Sequence, residues 1–340
     1  MKIFENIHEW QKVYSSLASN RNQSPLVMAM GNFDGVHLGH QEILKDAVNK
    51  AKKLGGKCLC FTFRPHPMKI LYPKRAPQMI QTFTQKKQTI ATLGVEILWV
   101  QKFDLPFSKI NYNEFFKTYV LDLIHPQALR VGHNFFFGHD RKGNTRNLGK
   151  LCQEHSIDFF SIPEVRLPLN GEEMAISSSR IRQLLRDGKL DLANRMLGKG
   201  YSVLGQVVSG AGRGQDLGFA TANISIENDS LLRRGVYVCR VSKTGQELQW
   251  PAVANLGIRP TFLNQKNGSQ GCEKEEAKEV LEVHLLDFSE NLLGADLTVR
   301  FLAFLRDEKR FSSPQLLRQQ IAKDIKTARE ILKKHPIQVR

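Results

Sequence analysis

The segment 31–40, GNFDGVHLGH, places three glycines and two histidines between a strand-like run and a helix-like run. The apolar run 25–30 precedes it, and helically spaced apolar side chains follow it at Ile43, Leu44, Ala47, Val48, Ala51 and Leu54. The N–H groups at a helix start attract anions, and glycines let a backbone approach a phosphate closely. The segment therefore predicts a strand-turn-helix unit that holds a triphosphate, with imidazole N–H groups as further donors.

Other interpretations of this segment stay open from the residues alone. His37 and His40 are a candidate metal pair, although no cysteine or further histidine lies nearby in sequence to complete a zinc site. The turn is also compatible with a structural corner in which the histidines only cap the helix. A dinucleotide-binding loop is disfavoured because the spacing G-x-G-x-x-G is absent.

Length and charge bound the class of protein. The 340 residues suffice for two domains with separate cores, and 49 basic against 33 acidic residues give a net charge of +16. Nucleic-acid-binding proteins share such an excess, but this sequence has no basic low-complexity tail and no RNP-like aromatic motif. We expect small polyanionic substrates and no nucleic-acid partner. The sequence does not indicate an oligomeric state.

Cysteine usage and hydropathy indicate the compartment. Five cysteines form no C-x-x-C pair and leave an odd one over, which argues against a disulfide framework and against a zinc ribbon. The first residues include Glu5 and Glu9 and lack an apolar signal region, and no run of about 18 apolar residues occurs. These features predict a cytoplasmic protein without a membrane partner.

The first half of the chain alternates between strand-like and helix-like segments. Strands are predicted at 57–63, 95–100 and 128–132, and helices at 86–93 and 113–123. This order predicts an α/β domain with a Rossmann-like, doubly wound parallel sheet, whose ligands gather at the carboxyl ends of the strands.

After about residue 186 the pattern changes to shorter strands separated by turns. Strands at 201–208, 235–241, 250–255, 279–286 and 296–305 predict a small antiparallel β-barrel. Ser313 and Pro314 predict the start of a closing helix, which is expected to bury Leu317, Ile321, Ile325, Ala328 and Leu332. We therefore predict one domain at 1–186 and a second at 201–340, joined by a linker at 187–200.

Three further motifs in the first half place polar groups near strand or helix ends. The segment 62–67, TFRPHP, follows the second strand, although two prolines around a histidine also suit a stiff loop. The segment 131–138, VGHNFFFG, contains Asn134 among aromatic residues. In the segment 176–182, ISSSRIR, serines can cap a helix and Arg182 can meet a phosphate, although an ordinary N-cap with a surface arginine is also compatible.

The second half contains a glycine-rich segment, 212–223, that ends in Thr221 and Asn223. Glycine permits tight backbone passage beside phosphates, and threonine and asparagine offer neutral oxygens suited to Mg²⁺. A common turn can have the same composition. Glu282 alternates with apolar neighbours along its strand, which places a carboxylate on one face of the barrel, and a surface salt bridge is compatible with this position.

The segment 31–40 resembles the HxGH signature of nucleotidyltransferases, and its Phe-Asp-Gly resembles bacterial FAD synthetases, as do the three further motifs. The resemblance implies that His37, His40 and Asn134 act at the phosphates of ATP while the phosphate of FMN attacks the α-phosphorus, without a covalent intermediate. It assigns ATP and phosphate binding to Gly31, Phe33, Asp34, Gly35, Gly39, Ser177 and Arg182. It assigns flavin binding to Phe63, Pro65 and His66.

The second half resembles riboflavin kinases over nearly its whole length. The segments that carry this resemblance are 212–223, 235–237, 255–262, 281–288 and 304–311. The resemblance implies that Thr221 and Asn223 bind Mg²⁺ with the nucleotide and that Glu282 is the general base for the riboflavin 5′-hydroxyl. It further assigns phosphate contacts to Gly212 and Gly218 and a flavin contact to Arg306.

From end to end, the chain resembles the bifunctional bacterial riboflavin kinases/FAD synthetases. This implies phosphorylation of riboflavin to FMN by ATP in the second domain and adenylylation of FMN to FAD plus pyrophosphate in the first, both assisted by Mg²⁺. Ala220 replaces the proline usual in the family, which implies a looser backbone before the metal ligands but removes no ligand. Leu293 replaces the family's usual tyrosine near the mouth of the kinase site. Two alternatives are an HxGH enzyme for another phosphate ester and a flavin- or RNA-binding regulator with an eroded kinase site.

Overall fold

A computed structural model describes residues 1–18, 24–169, 171–209, 219, 221–258 and 279–335. The chain divides into two units, residues 1–178 and residues 179–340. The domain limits predicted at 186 and 201 stay predictions. Within the described ranges, no helix combines the length and the apolar character needed to cross a membrane.

The first unit is built on a six-stranded sheet. Its elements are β1 (Lys2–Phe4), α1 (Ile7–Ala18), β2 (Leu26–Met30), α2 (Leu38–Lys53), β3 (Lys57–Arg64), α3 (Pro67–Leu71), α4 (Phe83–Thr92), β4 (Ile97–Lys102), α5 (Leu105–Ser108), α6 (Tyr112–Phe115), β5 (Ala128–Gly132), β6 (Phe136–Phe137), β7 (Gly143–Asn144), α7 (Thr145–Glu154), β8 (Asp158–Ile162), β9 (Arg166–Leu169) and β10 (Glu172–Ala175).

The strand order in this sheet is β1-β4-β3-β2-β5-β8, and all neighbouring strands pair in parallel. The side chains of β2 alternate between two apolar clusters: Met28 and Met30 join one, and Val27 and Ala29 join the other together with α2. A strand buried on both faces needs a continuous apolar sequence, which LVMAM supplies. The predicted doubly wound parallel sheet is confirmed.

Most predicted elements of this unit lie near their expected positions. β3 begins at residue 57 and β5 spans 128–132, as predicted. α4 begins before the predicted residue 86, because Thr82 and Gln85 form a capping box that satisfies the first N–H groups of the helix. α6 continues as a π-helical segment, Phe116–Ile124, and together they cover the predicted helix 113–123.

The second unit is an antiparallel barrel with helices before and after it. The elements from the boundary onward are α8 (Ser178–Arg186), α9 (Leu190–Leu197), β11 (Ser202–Val208), β12 (Ala222–Ile226), β13 (Gly235–Lys243), β14 (Trp250–Ile258), β15 (Glu279–Leu285), β16 (Asp296–Arg306) and α10 (Pro314–Lys334). The barrel closes in the order β11-β12-β15-β14-β13-β16. The predicted barrel is confirmed. The strand β12 was not predicted, because the glycine-rich sequence before it is typical of a loop.

The predicted linker 187–200 is largely helical. The apolar residues of α9, which are Leu190, Ala193, Met196 and Leu197, are buried. Asn194 fixes the helix to the barrel, since its Nδ2 donates to the Phe301 carbonyl at 3.0 Å and its Oδ1 accepts from the Tyr201 N–H at 2.7 Å. The segment is therefore a packed element of the second unit, and the spacing of its apolar residues was the overlooked signal.

The closing helix α10 begins as predicted, with Ser313 as N-cap accepting from the Leu316 N–H at 3.3 Å. Ala328 and Leu332 are buried against Val238 and Leu286 of the barrel. The other residues expected to be buried, Leu317, Ile321 and Ile325, are half-buried. The helix thus covers one sector of the outer barrel surface.

An ion pair that the sequence did not reveal also joins α10 to the barrel. Asp324 is 6% exposed, and its carboxylate accepts from Arg306 Nε at 3.0 Å and from Arg306 Nη2 at 2.7 Å. Gln320 Nε2 donates to the same carboxylate at 2.8 Å. This forked pairing satisfies a buried charge on each side.

We expect Asp324→Ala to destabilise the second unit by about 3–5 kcal/mol, because the variant leaves the largely buried Arg306 guanidinium without its carboxylate. Urea denaturation of the full chain measures the loss. The control is Arg329→Ala, which removes the exposed partner of Asp287 from the same helix as Asp324. The control should stay close to wild type. Equal losses in the two variants would show that the buried pair does not dominate this contact.

Candidate active sites

The turn between β2 and α2 has a strained backbone. Phe33 and Val36 have φ values of 49° and 38°, a left-handed region that bulky and β-branched residues rarely adopt. Both side chains are fully buried in the cluster that also contains the apolar face of α2. Gln41 Nε2 additionally donates to the Val36 carbonyl at 3.0 Å. Core packing therefore imposes the conformation of this turn.

His37 and His40 form a stacked pair at the start of α2. Their ring centroids are 3.6 Å apart with an interplanar angle of 17°. His37 is the N-cap of α2, and its Nδ1 accepts from the His40 N–H at 3.3 Å. Because Nδ1 is an acceptor, a neutral His37 carries its proton on Nε2, which is left as the donor of the ring.

The His40 imidazole lies in an environment that disfavours its charge. Burial, and then the neighbouring His37 and Lys86, lower the pKa of His40 well below its usual value. Its Nδ1 is buried and has no hydrogen-bond partner among the residues that the structure describes. His40 is therefore a neutral imidazole at pH 7, able to donate one hydrogen bond.

The glycines of the turn have steric reasons to be there. Gly35 has a φ of 82°, and a Cβ added to it would lie 3.0 Å from the Ile80 side chain. A Cβ on Gly39 would lie 3.2 Å from the His37 ring, so this glycine leaves room for the stacked pair. Gly31 directly follows β2, and a Cβ added to it would lie 3.1 Å from the Phe33 ring.

Asp34 lies inside the turn and is 7% exposed. Its Oδ1 accepts from the Ile80 N–H at 3.1 Å, and its carbonyl accepts from Ser178 Oγ at 2.9 Å. The carboxylate therefore anchors the turn to the segment before α4. These contacts give the buried carboxylate a structural role.

Sequence analysis missed Lys86, Thr62 and Ser178, each of which contacts this turn. Lys86 Nζ donates to the Asn32 carbonyl, and it donates to Thr62 Oγ1 at 2.8 Å. Thr62 lies within the motif 62–67, but only Phe63, Pro65 and His66 were selected from it. The serine motif predicted Ser177, and the hydroxyl of the next residue, Ser178, donates to the Asp34 carbonyl of the turn.

The other predicted residues of the first unit lie near carboxyl ends of neighbouring strands. Asn134 follows β5, is exposed, and lies close to Gly132. Phe63 ends β3 among the rings of Phe61, Phe103 and Phe107. Pro65 and His66 are half-buried, and His66 Nδ1 caps α3 by accepting from the Met68 N–H at 3.2 Å. Because β3 and β5 flank β2, these residues share one sheet edge with the histidine pair.

Two residues of the serine motif lie on either side of the division between the units. Ser177 is half-buried just before α8. Arg182 lies within α8 and is 7% exposed, so it is not the surface arginine of the alternative interpretation. Gly212 and Gly218, together with Ala220, lie outside the described residues.

A row of polar side chains crosses three strands of the barrel. Glu282 of β15 pairs in register with Asn223 of β12 on one side and with Asn255 of β14 on the other. Its neighbours Leu281 and Val283 are buried in the barrel interior, so the row lies on the outer face. Asn223 is 8% exposed, and Thr221, just before β12, is half-buried.

The donor set of this row suits a hard cation such as Mg²⁺. Amide, hydroxyl and carboxylate oxygens are its usual protein ligands, and Mg²⁺ often binds through few side chains together with substrate phosphates. In the part of the chain that the structure describes, no group of three His, Cys, Asp or Glu residues could hold a metal ion. The row thus suits a cation shared with a ligand, and the histidine pair of the first unit has no further ligands for zinc there.

A cavity of about 580 Å³ lies in the second unit and reaches Asn223 of this row. Its lining includes Asn223 and the apolar or aromatic residues Tyr201, Val203, Leu231, Leu256 and Phe301. The predicted flavin contact Arg306 is not part of this lining, and its guanidinium is engaged by Asp324.

Two family models match the chain, one over each half. The FAD synthetase family matches residues 19–180, and the riboflavin kinase family matches residues 197–332. Among solved structures, one described as a macrolide-efflux protein from Streptococcus pneumoniae superposes with a TM-score of 0.78 and 26% identity, over 96% of this chain and 98% of that one. The likeness extends over both units.

Curated relatives match over nearly their whole length. A bifunctional riboflavin kinase/FMN adenylyltransferase of Buchnera aphidicola subsp. Schizaphis graminum is 31% identical, over 98% of this chain and 99% of that protein. The protein of the same description from Haemophilus influenzae is 34% identical, over 97% of this chain and 98% of its own. The chain belongs to the family of bifunctional riboflavin kinase/FMN adenylyltransferases.

Proposed function

We infer that this chain makes FAD from riboflavin in two ATP-dependent steps, with the first unit adenylylating FMN and the second phosphorylating riboflavin. The observation that carries the inference is the family likeness over both halves, each of which contains its own polar constellation. Membership of this family favours the two reactions over another phosphate ester and over a binding regulator. ATP, riboflavin and FMN are the small-molecule partners.

The adenylylation step needs charge stabilisation and no nucleophilic side chain. A phosphate oxygen of FMN attacks the α-phosphorus of ATP, the bond to the bridging oxygen breaks, and pyrophosphate leaves. The N–H groups of His37 and of the neutral His40 face the increasing charge, and stacking and helix capping hold the two rings in place. Gly31, Phe33, Gly35 and Gly39 shape the turn around the phosphates, and Ser177, Arg182 and Asn134 orient them.

The flavin of this step lies against the end of β3. Phe63 offers an aromatic face within a cluster of rings, and Pro65 and His66 continue the chain along the same sheet edge. Burial of one ring face against such residues favours a planar ligand. Arg306 remains the proposed flavin contact of the second unit, with its guanidinium fixed by Asp324.

The kinase step uses the polar row of the barrel. The oxygen of the riboflavin 5′-hydroxyl attacks the γ-phosphorus of ATP while Glu282 accepts the hydroxyl proton. The bond from the γ-phosphorus to the bridging oxygen breaks, and ADP leaves. Thr221 and Asn223 would hold Mg²⁺, which supplies charge neutralisation on the phosphates when bound. The cavity beside Asn223 has a volume suited to one substrate of this step.

We propose a cytoplasmic location for the enzyme. Four cysteines, Cys58, Cys60, Cys152 and Cys239, are buried and free, which suits a reducing compartment.

Chromatography of the flavins tests the two reactions together. Purified protein incubated with riboflavin, ATP and MgCl₂ should form FMN first and then FAD, and with FMN it should form FAD directly. Absence of both products would refute the proposed function, and FMN as the only product would refute its adenylylation half.

We expect His40→Ala to reduce FAD formation from FMN by about 10²–10³-fold, because one fixed donor to the transition-state charge is lost. Phosphorylation of riboflavin should persist, so that FMN accumulates. The matched control is His8→Ala, which truncates an exposed histidine of α1 and should leave both steps intact. A parallel fall of both steps in His40→Ala would show that the two sites are not separate.

We expect Glu282→Gln to reduce riboflavin phosphorylation by about 10²–10⁴-fold, because the amide keeps the shape but cannot accept the proton. The affinity for riboflavin, measured by quenching of the flavin fluorescence, should change little. Glu227→Gln, which alters an exposed carboxylate just after β12, is the control. A loss below about tenfold would identify Glu282 as a structural charge.

A further inference from the structure

Lys86 lies in the first half of α4, and its side chain reaches the turn between β2 and α2 of the first unit. Its Nζ donates to the carbonyl of Asn32, the residue just before Phe33, and to Thr62 Oγ1 at 2.8 Å. Thr62 is fully buried, and its hydroxyl in turn donates to the same Asn32 carbonyl at 3.2 Å. One ammonium group thus ties together α4, the end of β3 and the turn after β2.

Three titratable groups lie near this ammonium. Facing it are the Asp34 carboxylate of the turn, the Cys60 thiol of β3 and the His40 imidazole of α2. Burial raises the pKa of Cys60 to about 12, and burial lowers that of His40, so both are neutral at pH 7. Asp34 is the acidic group among them, and it already receives the Ile80 N–H.

We propose that Lys86 is a positioning residue for adenylyl transfer, which fixes through the Asn32 carbonyl the strained turn 33–36 and thereby the histidine pair. The proposal rests on the adenylylation activity inferred above. The turn needs such a tie, because Phe33 and Val36 hold left-handed φ values that a free loop would relax. When protonated, the Lys86 ammonium also places a positive charge near His40 at the start of α2.

The proton of Lys86 gives the proposal a pH signature. Burial lowers the pKa of Lys86 to about 8, against the opposing influence of Cys60 and Asp34. In the free enzyme the tie therefore weakens as the pH rises through about 8. Since kcat/KM reports groups of the free enzyme, kcat/KM for ATP in FAD formation should fall above this pH. His40 and Cys60, with pKa values on either side of this range, do not produce the same fall.

The test compares two adjacent lysines of one helix. Lys86→Met should lower kcat for FAD formation from FMN by about 10–100-fold, the range that charge-assisted hydrogen bonds support, with a smaller change in KM for FMN. Lys87→Met is the matched control, because Lys87 Nζ lies over the Phe83 ring at 5.2 Å and not at the turn. The control should keep wild-type adenylylation, and both variants should keep riboflavin phosphorylation.

Lys86→Arg keeps the test decisive if the methionine variant unfolds, which circular dichroism would reveal. A guanidinium retains the charge and the donors and does not lose its proton near pH 8, so adenylylation should be partly retained and its alkaline fall should disappear. Equal effects of Lys86→Met and Lys87→Met would overturn the proposal, as would an unchanged alkaline fall in Lys86→Arg. A wild-type protein that forms no FAD from FMN would instead overturn the proposed function.

Discussion

The first site depends on apolar burial that offsets backbone strain. Phe33 and Val36 are held at left-handed φ values, which cost about 1–3 kcal/mol each, and complete burial of such side chains contributes about 1.5–3 kcal/mol each. The strain persists only because the cluster around α2 accepts both side chains. The same packing sets the start of α2 and hence the positions of His37 and His40. The hydrophobic core and the geometry of the histidine pair are therefore coupled in this unit.

In the barrel, strand register sets the positions of the candidate site residues, as core packing does in the first unit. Glu282 lies on the outer face because Leu281 and Val283 fill the interior, and a slip of one residue would exchange these faces. Pairing on both edges of β15 then aligns Glu282 with Asn223 and Asn255. Another sector of the outer face is covered by α10, which Arg306 and Asp324 hold in place. The carboxylate position is thus fixed by the pairing of the entire strand.

Local signals in the sequence were sufficient for features that depend on neighbouring residues. The strand 128–132, the cap Ser313 and the histidine turn were all predicted from short motifs. Features that depend on distant pairs were not. Lys86 is 54 residues from Asn32, and Asp324 is 18 residues from Arg306. A lysine or an aspartate within an amphipathic helix resembles an exposed residue until the fold brings its partner close.

The first site does not consist of a cluster of cationic side chains. If both histidines and Lys86 were cationic, ATP would be bound tightly before reaction as well as during it, and such uniform binding does not raise kcat. Burial instead keeps His40 neutral, and the nearby Lys86 ammonium adds to that effect. The positive charge then lies on Lys86, which is bound to the backbone of the turn, and His40 offers a neutral donor for the adenylylation proposed above. Fixed dipoles of this kind stabilise charge that develops in the transition state without reorganising, which suits a reaction that needs no nucleophilic side chain.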